Sequence, residues 1–284
     1  MSALLLPLTG ALLFAIGNQL SRLALRHVDS QTATLFQIGT GTVLYWLTAP
    51  LYLESWFWTS PALPLLAAIG LFRPLLSANL GMAGTRILGP TVASTLSATA
   101  PLLGVGLGIV LLGETLGWEV GVGTAGIVAG VVTLTWRGRA SRAWPLWALL
   151  LPIGAAFLRS LAHALAKIGL DILPNPFFVA LVAYTVSFPL ALGNDLRVRR
   201  KRVPIPRAGL VWLIGTGLAY SIAVLVLNTA LLTQDLVVVS PIVACSPLFT
   251  LLLGRFVFGE QALDRRVALA VALVVPSVVI IGLR

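Results

Sequence analysis

The sequence predicts an all-α integral membrane fold of ten transmembrane helices arranged as two inverted five-helix repeats. Three observations lead there. Over 284 residues the hydrophobic fraction is 58% and the charged fraction 10%, where a soluble domain carries roughly a quarter charged residues. The apolar residues form continuous runs of spanning length, not the alternating segments of about ten residues that a strand barrel needs. The second half of the chain also repeats the first.

At about 20 apolar residues per crossing, ten runs can be read in order. The first, 3–24, has no basic flank ahead of it and contains Asn18 and Gln19, which reads as a retained span, not a cleaved signal. The second is 32–53, and the third, 62–83, is interrupted by Arg73-Pro74. The fourth is 90–112, with Pro101 inside it, and the fifth, 118–136, is bounded by Trp118 and Trp136. The sixth, 144–169, opens at Trp144 and carries Arg159, His163 and Lys167. The seventh is 176–192, and the eighth is 209–232, with Asn228 near its end. The ninth, 236–258, carries Pro247, and the tenth is 267–283. Tryptophans cluster near the span ends, where amphipathic rings prefer the interface.

The formal charge of +10 does not indicate nucleic acid, because the basic residues lie in short segments between apolar runs. Fourteen of the nineteen Lys and Arg follow spans 1, 3, 5, 7 and 9. By the positive-inside rule those loops face the cytoplasm and both termini lie outside. The run from Arg197 to Arg202 reads as an anchor beside anionic headgroups. Cys245 is the only cysteine and His27 and His163 the only histidines, so no intrachain disulfide forms and neither a metal site nor another cofactor is expected.

Residues 92–114 align without gaps on 238–260 at an offset of 146, with nine of 23 positions identical, among them Pro101/Pro247, Gly108/Gly254, Gly113/Gly259 and Glu114/Glu260. Span 1 aligns on span 6 at an offset of 145, pairing Asn18 with His163 and Arg22 with Lys167. The units are 1–142 and 143–284. Five spans per unit is an odd number, so the second copy enters the membrane upside down, and inverted repeats with a mid-membrane site between them are a transporter plan.

The doubled pattern of Ser94, Ala98, Pro101-Leu102, Gly108 and Gly113-Glu114, and of Ser240, Ala244, Pro247-Leu248, Gly254 and Gly259-Glu260, resembles the two EamA-type repeats of the drug/metabolite transporter superfamily. The chain is similar, within it, to the YddG-type amino-acid exporters of bacterial inner membranes. That resemblance implies export of aromatic and other neutral amino acids through a cavity lined by helices 1, 3, 4, 6, 8 and 9, by a protein for which a monomer suffices. Efflux of drugs or other metabolites is the alternative within the class, and a membrane-embedded enzyme or lipid-handling protein is the alternative outside it.

A polar side chain in hydrocarbon needs a reason. Candidate solute contacts are Asn18, Asn79, Arg159, His163 and Asn228, with hydroxyls from Ser94 and Ser240. The stripes of Asn18 and His163 either face the cavity or join helices to one another. Arg159 can hold a carboxylate by a bidentate, charged hydrogen bond, and Arg73 can instead satisfy the carbonyl that Pro74 frees at Gly70. Ser94 and Ser240 either allow close helix approach or touch solute. Pro101 and Pro247 are candidate hinges, and Glu114 and Glu260 candidate caps or gates. All nine acidic residues stand at span ends or in loops, which disfavours a cation exporter with a midplane carboxylate. No nucleophile-base-acid set or phosphate loop supports an enzyme.

Overall fold

A computed structural model describes residues 2–73, 75–135, 145–198, 205–256 and 265–283. The junction at 142/143, Trp136, Trp144, Glu260 and the basic residues 199–202 lie outside those residues. The described residues are helical, with no strand. Their helices are α1 (Ser2–Ala24), α2 (Ser30–Tyr52), α3 (Leu63–Phe72), α4 (Leu75–Leu88), α5 (Pro90–Ser97), α6 (Ala100–Leu112), α7 (Trp118–Thr135), α8 (Leu150–Ile172), α9 (Pro176–Val198), α10 (Arg207–Thr233), α11 (Leu236–Val243), α12 (Ser246–Phe256) and α13 (Arg265–Ile281).

Spans 3, 4 and 9 are each two half-helices, α3/α4, α5/α6 and α11/α12, so thirteen helices make ten spans. Eight segments are long and apolar enough to cross a membrane by composition; α2 and α13 complete the ten. The threonines of α2 are compatible with a span because their hydroxyls bond back to carbonyls one turn earlier: Thr34 to Ser30 at 2.9 Å, Thr42 to Ile38 at 2.9 Å and Thr48 to Leu44 at 2.8 Å. Large apolar side chains cover the outside of the bundle, with Leu47 75% and Val110 79% exposed. Such a surface is stable only against lipid.

The repeats pack copy against copy. Extensive interfaces join span 1 to span 8 and span 6 to span 3, span 1 to span 9 and span 6 to span 4, span 2 to span 8 and span 7 to span 3. Each of these pairs is the other's counterpart under exchange of the two halves. Spans 2 and 7, 4 and 9, and 5 and 10 pack on their own counterparts, as a pseudo-two-fold axis in the membrane plane requires.

Glycines set the closest approaches. A Cβ at Gly41 would run into the Tyr184 ring and the Ser221 hydroxyl, which lets α2 press on α9 and α10. There Tyr45, 2% exposed, donates to the Ser221 carbonyl at 2.6 Å and meets Tyr184 edge-on at 5.2 Å. The buried core of Ile38, Tyr45, Leu66, Phe178, Leu181 and Leu227 draws on both repeats.

The spans are close to those expected from hydropathy, with three differences. Span 3 continues to Leu88, span 6 begins as an α-helix only at Leu150 after a 3-10 turn at Leu146–Leu149, and span 7 runs on to Val198. Helical hydrogen bonding does not stop where hydropathy falls, so polar residues such as Asn194 and Asp195 extend the helix beyond the apolar run.

Overpacking at the Gly41 contact makes a test. Gly41→Ala is expected to destabilise by about 1–3 kcal/mol, whereas Gly106→Ala, whose added Cβ meets nothing within 4 Å, leaves the thermal unfolding midpoint in detergent unchanged.

Candidate functional site

The break in span 3 is where a site begins. Arg73 precedes a proline, which drives it out of the helical region, and its backbone is extended (φ −124°, ψ 134°). Pro74 has no N–H, so the Gly70 carbonyl loses its helical donor. Ser187 of α9, wholly buried, replaces it: its hydroxyl lies 2.7 Å from the Gly70 carbonyl and 2.8 Å from the Arg73 carbonyl. Gly70 makes this possible, because a Cβ there would stand 2.6 Å from Val186 Cβ and 2.7 Å from the Ala183 carbonyl. The Arg73 side chain therefore has no backbone to repair, contrary to the structural role open to it from sequence.

Span 3 runs antiparallel to α8. Gly84 faces Pro152, Gly81 faces Ala155 and Gly169 faces Leu66, a register that sets Arg73 level with His163 and one turn from Arg159. The positive charge of Arg73 acts on both. Arg159 and Arg73 are half-buried, and neither guanidinium has a hydrogen-bond or ion-pair partner among the described residues. Nε2 of His163 is buried with no partner. The described acidic residues all stand at helix ends or in connections, so nothing on the spans neutralises this group.

The pseudo-symmetric counterpart of this centre, between span 1 and spans 8 and 9, is closed. Span 1 runs antiparallel to α10, with Gly17 against Tyr220 and Gly10 against Val226. Tyr220 thus stands toward Asn18 as Arg73 stands toward His163. Asn18 accepts from the Tyr220 hydroxyl at 2.5 Å and donates to the Thr250 hydroxyl at 3.2 Å, while Gln19 donates to the Thr250 carbonyl at 2.5 Å. Phe14 packs on Tyr220 with ring centroids 5.9 Å apart. At the repeat offsets Phe14 corresponds to Arg159 and Thr250 to Gly104. The interface of span 1 with spans 8 and 9 holds a packed and bonded Phe-Asn-Tyr-Thr set; that of span 6 with spans 3 and 4 presents Arg159, His163, Arg73 and a glycine.

The remaining candidates divide. Asn79 lines a cleft of about 320 Å³ with Ser30, Gln31, Met82, Arg86 and Asn194, at the face that carries the basic loops. A crevice beside it, too narrow for a water molecule, is lined by Thr34, Leu35 and Leu75. Asn228, 3% exposed, donates to the Pro176 carbonyl at 3.3 Å and is taken up by the α10–α9 contact. Lys167, at the end of the α8 stripe, donates to the carbonyls of Leu231 at 2.8 Å and Gln234 at 3.1 Å, capping α10.

Ser240, 8% exposed, sits against Gly104, where a side chain would overlap it; it serves close approach of spans 4 and 9. Ser94 is half-buried in α5, its carbonyl bonded to the Ala98 N–H at 3.1 Å. Pro101 and Pro247 both stand in the first turn of a second half-helix, after breaks at the matched positions Ala98 and Ala244. Glu114 caps α11 across the repeat boundary: Oε1 accepts from Leu236 N at 2.7 Å and Oε2 from Val237 N at 2.8 Å. Gly113, at φ 67°, turns the chain so that the carboxylate can do so, and Gly108 leaves the room it occupies. Glu260, the counterpart, lies outside the described residues.

Two five-span repeats packed copy against copy around a polar centre at mid-depth define a secondary transporter. The family model for the EamA-like transporter family matches residues 1–136 and 146–283. The chain belongs to that family, within the drug/metabolite transporter superfamily. A solved crystal structure superposes with a TM-score of 0.83 over 99% of this chain and 96% of the other at 17% sequence identity, which shows the shared fold. A comparison with curated proteins finds no match.

Sequence reasoning had the Asn18/His163 pairing but not the partners that make one closed and one open. The offset alignment of spans 1 and 6 also pairs Phe14 with Arg159. What it lacks is the register across span 3, which only packing supplies.

The Ser187 bridge predicts a stability cost. Ser187→Ala leaves two buried carbonyls sharing no donor and is expected to lose about 1–3 kcal/mol, read as a lowered unfolding midpoint in detergent.

Proposed function

We propose that this protein exports amino acids and similar small carboxylate-bearing metabolites across a bacterial inner membrane by alternating access, as a monomer with both termini periplasmic. The observation that carries the reading is the unpaired Arg159 guanidinium at mid-depth, in a transporter whose described spans carry acids only near their ends. An arginine so placed can hold a carboxylate in a bidentate pair, and aromatic and other neutral amino acids are the solutes the resemblance to YddG-type exporters implies.

In this reading the basic face is cytoplasmic, and the cleft lined by Asn79 and Arg86 is the entry. Asn79 offers amide contacts on the way in, Arg159 takes the carboxylate and His163 Nε2 supplies a further polar contact. Asn18 forms the tied wall opposite, and Asn228, Ser94 and Ser240 support helix packing. Glu114 on the α11 N-terminus closes the periplasmic side between spans 4 and 9. Opening that side requires the Glu114 cap to separate while the half-helices pivot at the breaks before Pro101 and Pro247. With one set of spans for each half, the exchange of the two repeats' conformations moves the opening from one face to the other.

Liposome counterflow with labelled phenylalanine, threonine and methionine tests the substrate. Flux of at least one is expected and is reduced about tenfold or more in Arg159→Ala, the loss of one charged hydrogen-bonded pair; no flux of any of the three sinks the amino-acid reading. The gate is tested separately. In a Cys245→Ala background, Glu114→Gln is expected to raise labelling of Ser240→Cys by a membrane-impermeant thiol reagent added from the periplasmic side by about tenfold.

A further inference from the structure

We infer that the centre binds doubly anionic solutes, such as dicarboxylates and acidic amino acids, in preference to zwitterions, with Arg73 as the second anion-binding residue beside Arg159. This rests on the same central site as the export reading but adds a residue and a charge rule.

The argument is one of charge balance. An arginine side chain stays protonated in a protein, so Arg73 and Arg159 together bring two fixed positive charges to mid-depth. An uncompensated charge away from water is strongly unfavourable, and neither guanidinium is neutralised or hydrogen-bonded by the described residues. A zwitterion has one carboxylate and one ammonium. Its carboxylate can pair with one arginine, which leaves the other arginine bare and the ammonium without an acid. A solute with two anionic groups pairs with both.

The geometry allows the two pairs. Arg73 and Arg159 come from adjoining helices, at the span 3 break and on α8, one turn apart in the antiparallel register set by the Gly84–Pro152 and Gly81–Ala155 contacts. Both guanidinium groups are released from structural work: Ser187 bridges the break at Arg73, and Ser160, the neighbour of Arg159, is the side chain that ties α8 to span 4 through the Ala100 carbonyl at 2.9 Å. The unpartnered Nε2 of His163 belongs to the same group, level with Arg73 and one turn from Arg159. The pseudo-symmetric interface of spans 1 and 8 supplies an internal control: Phe14, which corresponds to Arg159, packs on Tyr220, and Tyr220 bonds Asn18, the counterpart of His163, so the fold does not require charge there. The cleft at the basic face is lined by exposed Arg86, whose fixed charge attracts anions to that face.

The test uses the full chain in proteoliposomes and in detergent. Counterflow and thermal stabilisation are measured with glutamate against glutamine, a pair of near-identical size, and with succinate, which has no ammonium. Glutamate is expected to exceed glutamine by about tenfold or more, the value of one added charged pair, and succinate to bind and move. In Arg73→Gln the glutamate-to-glutamine ratio falls to about one, and in Arg73→Lys a preference returns, which a purely structural role for Arg73 would not produce; size-exclusion profiles confirm that both variants fold. Equal handling of glutamate and glutamine, a preference that survives Arg73→Gln, or absence of any binding or flux with succinate and glutamate overturns the proposal. Succinate flux without phenylalanine, threonine or methionine flux retains the dianion site and removes the neutral amino-acid reading, while flux of those three with no charge preference does the reverse.

Discussion

The donation of one buried hydroxyl, Ser187, to the carbonyls on both sides of the span 3 break governs the chemistry of the centre. In hydrocarbon a backbone carbonyl that loses its donor needs another, because no water can supply one. A proline in the middle of a span creates that need at Gly70. Had the neighbouring guanidinium met it, Arg73 would be a structural residue. Because α9 comes close enough over Gly70 for Ser187 to reach both carbonyls, the break is repaired by a neutral side chain and the charge is left facing the interior.

Duplication explains how the fold accommodates such a charge. Two copies packed about a pseudo-two-fold axis share backbone architecture, so each position in the centre occurs twice with independent side chains. On the span 1 and span 8 side the pair is a short-range polar network, Asn18 with Tyr220 and Thr250. On the span 6 and span 3 side the same positions hold His163, Arg73 and Gly104, and the network is absent. The backbone is symmetric, while the side chains at the two interfaces are not. The same division is seen at the glycines of the repeated motif: Gly108 makes room for the Glu114 carboxylate, and its counterpart Gly254 makes room for the Gln19 amide.

Much of the fold was legible because lipid restricts it so severely. Continuous apolar runs can only be helices, and the copied Pro, Gly and Glu positions in spans 4 and 9 carry enough information to reveal the duplication. Breaks at Ala98 and Ala244 come at the copied place because the residues that follow, Pro101 and Pro247, are copied too. Span ends were less legible. Hydropathy marks where lipid ends, whereas α9 runs on past the apolar run to Val198. Asn228 illustrates the limit for side chains: an amide in an apolar run signals that a partner exists, but whether it is a solute or, as here, the Pro176 carbonyl depends on which helix lies beside it.

The sequence by itself determined the helical membrane class, the ten crossings, the doubled architecture and the short set of polar residues inside the spans, since each follows from composition or from a pattern along the chain. Tertiary structure alone decided which of those residues are consumed by the protein and which are left over. Lys167 and His163 lie on one stripe of α8, yet the first caps α10 and the second has no partner. That distinction arises from antiparallel register between spans far apart in sequence, where a shift of one helical turn would exchange a partnered residue for an unpartnered one.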